Sequence, residues 1–234
     1  MTDAFGLRRG IPTRDDMEKI NEVSLQPLNA DQVYIFGMRL CDNEIDRDFE
    51  RFTTHTLEQL VPMYIGKLGI VKDLQVGRIY DAELITDPDK TTRAGDPYCW
   101  IKAYAYVIKN DDTQKLISHI RSGTQAEVSI GCSVTACTCS ICGEDIATCS
   151  HKLSQEYDGR LCFANLNGAY DAYDWAFVVE PHERKTTPAH LAKTIDPIDV
   201  KRAVMAGLLD VKVNNGNILL GNKNSGEWVK IGEI

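Results

Sequence analysis

The sequence predicts an α+β fold: a twisted, mostly antiparallel sheet or barrel that is flanked by helices and carries a zinc-braced insert. Two strand-like segments, "VGRIYDAELI" (76–85) and "YCWIKAYAYVI" (98–108), follow each other closely, and the second alternates between two faces as antiparallel strands do. Amphipathic helical segments stand on both sides of this pair. Six of the eight cysteines lie between Cys132 and Cys162, which indicates a local metal-binding device.

The first part of the chain predicts an arm, a strand and a helix. Residues 1–30 are polar and form an N-terminal arm with a short helical run, "RDDMEKINEV". β-Branched and aromatic residues predict a strand over 32–40, and the charged segment 41–52 connects it to a helix. This helix lies within 53–66 and ends at Gly66. Its apolar face carries Leu57, Leu60, Val61 and Tyr64 at helical spacing.

A second helix is predicted after the central pair of strands. In "DDTQKLISHIRSG" (111–123), Asp111 or Asp112 serves as the N-terminal cap, and Gly123 supplies the left-handed residue that ends the helix. A strand, "AEVSIGCSV", follows directly. After the cysteine-rich stretch, two further segments have strand composition: 159–167 and 172–181.

These elements divide the chain into a core domain over 31–185, with a cysteine-rich insert at 135–162, and a C-terminal part over 186–234. The C-terminal part begins as a linker. It continues as a helix over 198–209 and a hairpin whose turn is Asn215-Gly216, the residue pair that a two-residue hairpin turn favours.

Net charge and hydropathy indicate which classes of partner the chain is expected to have. The chain has 26 Lys and Arg against 34 Asp and Glu, a net charge of -8, and no basic block, so we expect no nucleic-acid partner. The N-terminal residues contain no apolar core of a secretion signal, and no later run approaches the ~18 apolar residues of a membrane span. We therefore expect a soluble intracellular protein without membrane association. In that compartment clustered cysteines are metal ligands or reactive thiols more often than disulfides.

The strand "AEVSIGCSV" displays serines on one face. Val128, Ile130, Cys132 and Val134 alternate with Ser129, Gly131 and Ser133, so one face is apolar and the other small and polar. Small residues let another backbone approach, which an attacking serine hydroxyl requires. The alternative is a solvent-exposed face of ordinary serines, because a catalytic serine also needs a base and an orienting group from elsewhere.

The cysteine-rich insert predicts a structural zinc site. Cys139 and Cys142 form a C-x-x-C pair, and Cys149 with His151 forms a second pair seven residues on. Four Cys or His ligands make a tetrahedral structural zinc site. The predicted set is Cys139, Cys142, Cys149 and either His151 or Cys162, with Cys137 as a further candidate. The alternative is a loop with free or buried cysteines. A fully ligated ion has a structural role, because catalysis keeps one coordination position open.

Taken in order, these segments resemble the tailed-phage prohead proteases, the capsid maturation serine peptidases whose fold is similar to herpesvirus assemblin. The resemblance covers roughly 33–185, and "CSICG" with "YDGRLCF" resembles a cysteine-bearing subset of these phage proteins. It rests on "DNEIDRDFERF" (42–52), "LVPMYIGKLGI" (60–70), "VGRIYDAELI" (76–85), "EVSIGCSV" (127–134) and "DAYDWAFVVEP" (171–181).

The resemblance implies three site residues. The family's nucleophilic serine corresponds to Ser129, and the acidic residue that orients the base corresponds to Asp174. Lys72 and Asp73 stand where the family has His and Asp. Lysine acts as a base only where burial lowers its pKa by several units, and nearby carboxylates oppose that. Asp174 has an alternative role, as a carboxylate hydrogen-bonded at a sheet edge.

The function implied is that of a serine endopeptidase that cleaves phage scaffold and major capsid proteins during head maturation, inside the viral procapsid in the host cytoplasm. Because of Lys72, the alternative is a catalytically inactive head or assembly protein of the same fold, and His55 or His119 stays open as another base. A zinc-ribbon nucleic-acid binder is disfavoured by the net charge of -8. The sequence does not decide the oligomeric state, so a homo-oligomer stays an open alternative.

Overall fold

The computed structural model of the chain describes the backbone of residues 7–71, 74–124, 127–178, 209–214, 217–222 and 228–233, and the side chains of 7–70, 77–124 and 127–178. The chain divides into two compact units, Met1–Pro188 and Ala189–Ile234. None of the helices in the described residues has the length and apolar character of a membrane span.

An open mixed sheet forms the framework of the larger unit. The strands of this unit are β1 (Arg9–Gly10), β2 (Val33–Asp42), β3 (Glu50–Phe52), β4 (Leu68–Val71), β5 (Leu74–Thr91), β6 (Pro97–Ile108), β7 (Val128–Cys139), β8 (Glu156–Tyr157), β9 (Arg160–Leu161) and β10 (Ala164–Phe177). The hydrogen-bonded order in the sheet is β1-β2-β6-β5-β4-β10-β3, and β7 pairs with β10. Most pairs are antiparallel, whereas β10 runs parallel to β3 and β4. The α+β fold with a mostly antiparallel sheet is therefore confirmed, with an open sheet rather than a closed barrel.

Three helices in the described residues accompany the sheet: α1 (Arg14–Val23), α2 (Thr54–Tyr64) and α3 (Gln114–Ser122). The predicted cap of α3 is wrong. Thr113, not Asp111 or Asp112, occupies the N-cap position, and its side chain makes no capping hydrogen bond, because its backbone is already in the helical region. The predicted end at Gly123 is confirmed, since this glycine has a φ of 76° and its N–H donates to the Ile120 carbonyl oxygen.

Helix α2 fills a gap beside the centre of β10. The ends of β10 pair with β3 and β4, and between them side chains of α2 satisfy the β10 backbone. The Thr56 hydroxyl donates to the Leu166 carbonyl oxygen at 2.9 Å and accepts from the Gly168 N–H at 3.0 Å. The Gln59 side-chain oxygen accepts from the Ala169 N–H at 2.9 Å. These bonds fix α2 against the strand, because unpaired buried backbone groups would be costly.

The main core lies between the sheet and helices α2 and α3. Burial of its large apolar side chains is the main source of the unit's stability. Trp175 from β10 is fully buried and comes so close to β4 that a Cβ on Gly69 would lie 2.2 Å from its ring. The fully buried side chains of this core include Trp175, Tyr64, Phe36, Leu40, Leu57, Leu60, Ile79 and Ile101.

The residues predicted as an N-terminal arm are joined to the sheet from residue 7 onwards. Strand β1 pairs with β2, and Ile20 of α1 is fully buried in a second core cluster. The buried carboxylate of Asp16 accepts hydrogen bonds from both terminal nitrogens of Arg8, at 2.8 Å each, and from the Tyr80 hydroxyl at 2.9 Å. Asp16 also closes a capping box with Thr13, so one carboxylate links the helix start to the sheet.

The smaller unit contains a three-stranded antiparallel sheet in its described residues. Its strands are β11 (Leu209–Asn214), β12 (Asn217–Asn222) and β13 (Trp228–Glu233). The predicted hairpin is present, because Asn214 pairs with Asn217 across a two-residue connection. The sequence prediction lacked the third strand. A helix was predicted for 198–209, and residues 198–208 of that segment lie outside the described residues.

Candidate functional site

The cysteine-rich insert connects two strands that pair with each other. β7 ends at Cys139 and β10 begins at Ala164, and these two residues are direct partners in the antiparallel ladder. Strand β7 therefore extends five residues into the segment predicted as insert, 135–162. The connecting loop closes one end of the strand pair, and Ser129 and Asp174 lie near its other end.

The first arm of the insert is a tight turn around the Cys139 sulfur. The Ile141 N–H donates to the Cys139 Sγ at 3.4 Å, and the Gly143 N–H donates to the Cys139 carbonyl oxygen at 2.8 Å. Gly143 has a φ of 77°, which a side chain would disfavour. This turn brings Cys142 back over Cys139.

The second arm supplies Cys149 and His151. The N–H groups of Thr148 and Cys149 both donate to the Asp145 carbonyl oxygen, at 3.1 and 3.0 Å, which curls the chain toward the first arm. The Nδ1 atom of His151 is buried and has no hydrogen-bond partner among the described residues. The ring meets that of Tyr157 edge-on, with centroids 4.5 Å apart. A buried ring nitrogen without a partner fits a metal ligand, because such an atom is otherwise costly.

The donors of both arms converge. The ligand atoms of Cys139, Cys142, Cys149 and His151 all lie within 4.8 Å of one another, so the predicted cluster that could hold a metal ion is confirmed. The fifth candidate, Cys162, lies beside the cluster with its Sγ 3.8 Å from that of Cys139. Cys137, the further candidate, lies instead in the main core.

The electrostatics of the cluster favour one thiolate. Burial opposes ionisation of Cys139, but hydrogen bonds from the N–H groups of Cys142 and Ile141 and from neighbouring thiols lower its pKa to about 6. Burial, together with the charge on Cys139, raises the pKa of Cys162. A metal binds the thiolate form, so Cys139 is already disposed to act as a ligand.

The apolar face of β7 matches the prediction, since all four residues assigned to it are buried in the main core. The opposite face is only partly open. Ser129 is half-buried, whereas Ser133 is 7% exposed and its hydroxyl is hydrogen-bonded to that of Tyr173. The alternative of a solvent-exposed face of serines is therefore wrong for Ser133, because Tyr173 from the neighbouring strand covers it.

Asp174 reaches the same face through an irregularity in β10. Cys132 pairs with Ala172 and Ile130 with Trp175, so Tyr173 and Asp174 together stand opposite Gly131. An Asp174 carboxylate oxygen lies 2.8 Å from the position that a Cβ on Gly131 would occupy. Ser129 pairs with Ala176, two residues beyond Asp174. Ser129 and Asp174 are thus diagonal neighbours on one face, separated by a glycine.

Tyr64 adds a contact that sequence reasoning missed. Its side chain is fully buried at the end of α2, and its hydroxyl donates to the Gly131 carbonyl oxygen at 3.0 Å. Burial, and then the negative charges that Cys132, Cys41 and Asp174 carry when ionised, raise the pKa of Tyr64 far above its ordinary value, so it acts only as a neutral donor. In the sequence Tyr64 was visible as part of an apolar helix face, and only its hydroxyl hinted at a polar role.

None of the contacts given for the described residues places a candidate base beside Ser129. Lys72 and Asp73 lie outside the described residues, between Val71 and Leu74, which pair with each other. The Nδ1 atom of His55 is 3.5 Å from a Glu58 carboxylate oxygen on the surface of α2.

Four histidines remain. The Nδ1 atom of His119 is 2.9 Å from the Thr124 hydroxyl, at the exposed end of α3. His182 and His190 lie outside the described residues. His151 belongs to the metal cluster. The base predicted by resemblance, Lys72, therefore stays a prediction.

No protein-family model, curated protein or solved structure matches the chain. The resemblance to prohead proteases accordingly rests on the residues themselves.

Proposed function

We propose that the chain is a serine endopeptidase of the prohead protease type, which cleaves scaffold and major capsid proteins inside the procapsid in the host cytoplasm. The observation that carries the proposal is the placement of Ser129 and Asp174 on one face of two paired strands, with Gly131 between them. A glycine at this point leaves room for a carboxylate and for a peptide carbonyl approaching the serine hydroxyl.

In this mechanism the Ser129 hydroxyl attacks the scissile carbonyl, and a general base takes its proton. Asp174 orients the base and stabilises its positive charge after proton transfer. Backbone N–H groups near the serine strand hold the developing oxyanion. The resemblance assigns the base position to Lys72, whose amine must be neutral in order to accept the proton.

A second candidate function is a head or assembly protein of the same fold that does not hydrolyse peptides. The observation that favours it is the lysine itself: Lys72 stands where the resembled family has histidine. A lysine amine near carboxylates such as Asp73 stays protonated at neutral pH, which prevents it from accepting the serine proton.

For the insert, we propose that Cys139, Cys142, Cys149 and His151 bind one structural zinc ion. Thiolate and imidazole are ligands that zinc prefers, and the backbone N–H group that points at the Cys139 sulfur suits a metal-bound thiolate. Four protein ligands leave no open position, so zinc supplies bracing rather than chemistry. The brace holds the end of the β7–β10 pair.

The test is intact-mass analysis of the purified full chain after exposure to a fluorophosphonate. The peptidase proposal predicts one adduct, mapped to Ser129 and lost in Ser129→Ala. Ser133→Ala is the matched control, because Ser133 lies on the same face four residues away but is covered by Tyr173. No adduct in folded, metal-loaded protein excludes an activated Ser129 and favours the assembly protein.

A second comparison separates the two candidates further. If Lys72 silences the site, Lys72→His creates or raises labelling that depends on Ser129. If Lys72 is the working base, Lys72→Met abolishes labelling in the unmodified background. Metal content, measured on the same preparations, is expected to be about one equivalent of zinc and tests the insert independently.

A further inference from the structure

The insert contains one more metal-type donor than a tetrahedral zinc ion binds. Cys139, Cys142, Cys149 and His151 form the mutual cluster, and Cys162 stands next to it. Four ligands complete a structural zinc site. One of the five donors is therefore left without a bond to the ion at any moment.

The distance between Cys162 and Cys139 is that of two ligands of one zinc ion. Two sulfurs bound to one zinc ion at about 2.3 Å with tetrahedral angles lie about 3.8 Å apart. The Sγ atoms of Cys139 and Cys162 are 3.8 Å apart without a disulfide bond between them. The thiol thus already stands at the spacing that a shared ion would impose.

Backbone hydrogen bonds hold Cys162 there. Its N–H donates to the Gln155 carbonyl oxygen at 2.8 Å, and its carbonyl oxygen accepts from the Ser154 N–H at 3.0 Å. These bonds continue the β8–β9 hairpin, whose turn residues Asp158 and Gly159 have positive φ values of 51° and 73°. Cys162 is fully buried, so its thiol is kept toward the cluster instead of turning into solvent.

His151 is held differently. It lies outside the strands, on a loop, and the described contact of its ring is the edge-on approach to Tyr157. Of the five donors, the imidazole is also the only neutral ligand, so it leaves a zinc ion without carrying charge away.

We propose that Cys162 is an exchangeable fifth ligand, which takes the position of His151 on the metal ion when the imidazole leaves. In the exchange the Cys162 sulfur forms a bond to the metal and releases its proton to solvent, the bond from His151 breaks, and neutral imidazole is freed. No electron is transferred. The inference rests on the metal site put forward under Proposed function. It gives the insert a way to keep its ion while the His151 loop moves.

The experiment replaces zinc by cobalt(II) in the purified full chain and counts bound thiolates from the intensity of the sulfur-to-cobalt charge-transfer absorption. In the unmodified chain we expect one cobalt with three thiolates. His151→Ala is expected to keep one equivalent of cobalt and to gain about one third in charge-transfer intensity, as Cys162 becomes the fourth thiolate. The matched control, Ser150→Ala, changes neither value.

Two further variants complete the test. Cys162→Ser is expected to keep its cobalt with three thiolates, whereas the double variant His151→Ala with Cys162→Ser binds cobalt at least tenfold more weakly than either single variant. If Cys162→Ser does not fold, the comparison of His151→Ala with the unmodified chain decides by itself.

Three outcomes overturn the inference. Four thiolates in the unmodified chain make Cys162 a permanent ligand. Loss of cobalt from His151→Ala, or an unchanged thiolate count there, shows that Cys162 does not replace the imidazole. An unmodified chain that binds no cobalt or zinc refutes the metal site itself, which separates failure of the underlying proposal from failure of the exchange.

Discussion

The hydroxyl of Tyr64 donates a hydrogen bond to the carbonyl oxygen of Gly131 across 3.0 Å. Tyr64 ends helix α2, and Gly131 lies in β7 between Ser129 and Ser133. The bond therefore ties the helix that fills the gap beside β10 to the middle of the serine strand. Because Tyr64 is fully buried, no water can take over the bond when the hydroxyl is removed.

Replacing Tyr64 by phenylalanine tests that bond. Tyr64→Phe keeps the ring and leaves the Gly131 carbonyl oxygen without its donor, so we expect the free energy of unfolding in urea to fall by about 1–3 kcal/mol. Tyr170→Phe is the control, since that side chain is largely exposed, and its effect is expected within about 0.5 kcal/mol. Equal stability of both variants would mean that the hydroxyl contributes nothing.

Two glycines have close neighbours, and replacing each by alanine is expected to affect a different property: stability at Gly69 and labelling of Ser129 at Gly131. A methyl group at Gly69 meets the fully buried ring of Trp175 at 2.2 Å, so Gly69→Ala is expected to cost about 3 kcal/mol of stability. A methyl group at Gly131 meets the movable carboxylate end of Asp174. Gly131→Ala is expected to cost less than about 1 kcal/mol, yet to displace Asp174 and reduce fluorophosphonate labelling at Ser129. Thermal unfolding and intact mass measure both effects, and the reverse ranking in stability would contradict the assignment.

Metal removal should loosen one end of one strand pair. The cluster lies where Cys139 pairs with Ala164, so chelation is expected to speed amide hydrogen exchange in peptides covering the end of β7 and the start of β10. Peptides from the β5–β6 pair serve as the internal reference, because their ladder does not include the insert. Exchange that rises equally in both regions would indicate global unfolding instead of a local brace.

The Asp16 carboxylate is expected to contribute more to the free energy of unfolding than a charge on the surface does. Asp16→Asn removes the partner of Arg8 in a pair whose acidic member is buried, so we expect a loss of about 3 kcal/mol in the free energy of unfolding. The matched control is Glu18→Gln, whose exposed pair with Arg14 contributes less than about 0.5 kcal/mol. Denaturant titration of the two variants measures the difference, and equal losses would disprove the claim that Asp16 fastens the N-terminal segment.

The buried carboxyl group of Glu50 is expected to make the free energy of unfolding depend on pH. Burial, and then the nearby charges of Asp46 and Asp48, raise the pKa of this carboxyl group from 4.5 to about 8. Between these values the folded chain keeps a proton that the unfolded chain releases, so the contribution to stability is full below pH 4.5 and is lost as the pH rises through 8.

The variant Glu50→Gln carries no such proton. Its stability relative to the unmodified chain is expected to rise between about pH 5 and pH 8, by up to about 1.4 kcal/mol per pH unit, and to level off above. Glu156→Gln, at an exposed position, is the control. A stability difference that is independent of pH would mean that Glu50 is ionised in the folded chain throughout this range.

Local pattern was sufficient for the long helices and strands of the larger unit but not for β1, β3 and β4, and the strands predicted at 159–167 and 172–181 are one strand, β10. The helix with Leu57, Leu60 and Tyr64 on one face and the strand after residue 97 were both predictable, because burial on one side imposes a period that the sequence displays. Thr113 as the cap of α3 was not, since Asp111 and Asp112 have the stronger intrinsic preference and only the backbone conformation decides between them.

For the metal cluster, too, spacing along the chain carried most of the information. A C-x-x-C pair followed by a C-x-H pair predicts Cys139, Cys142 and Cys149 as donors and leaves His151 and Cys162 as alternatives for the fourth, since each pair holds its ligands close within one turn. The position of Cys162 depends on the hairpin formed by β8 and β9, which returns the chain to Cys139. That return is a tertiary contact across 23 residues and leaves no mark in local spacing.

The sequence by itself determined the main helices and strands, the alternating faces of the serine strand and the candidate donors of the insert, because each depends on neighbours a few positions apart. Only the tertiary structure decided that Asp174 stands diagonal to Ser129, that Tyr173 covers Ser133 and that Tyr64 bonds Gly131. The first two contacts depend on the register between β7 and β10 and on one irregularity in that ladder, whereas the third depends on how α2 packs against β7. A shift of one residue in the ladder would turn Tyr173 and Asp174 to the other face, and no local pattern fixes the register.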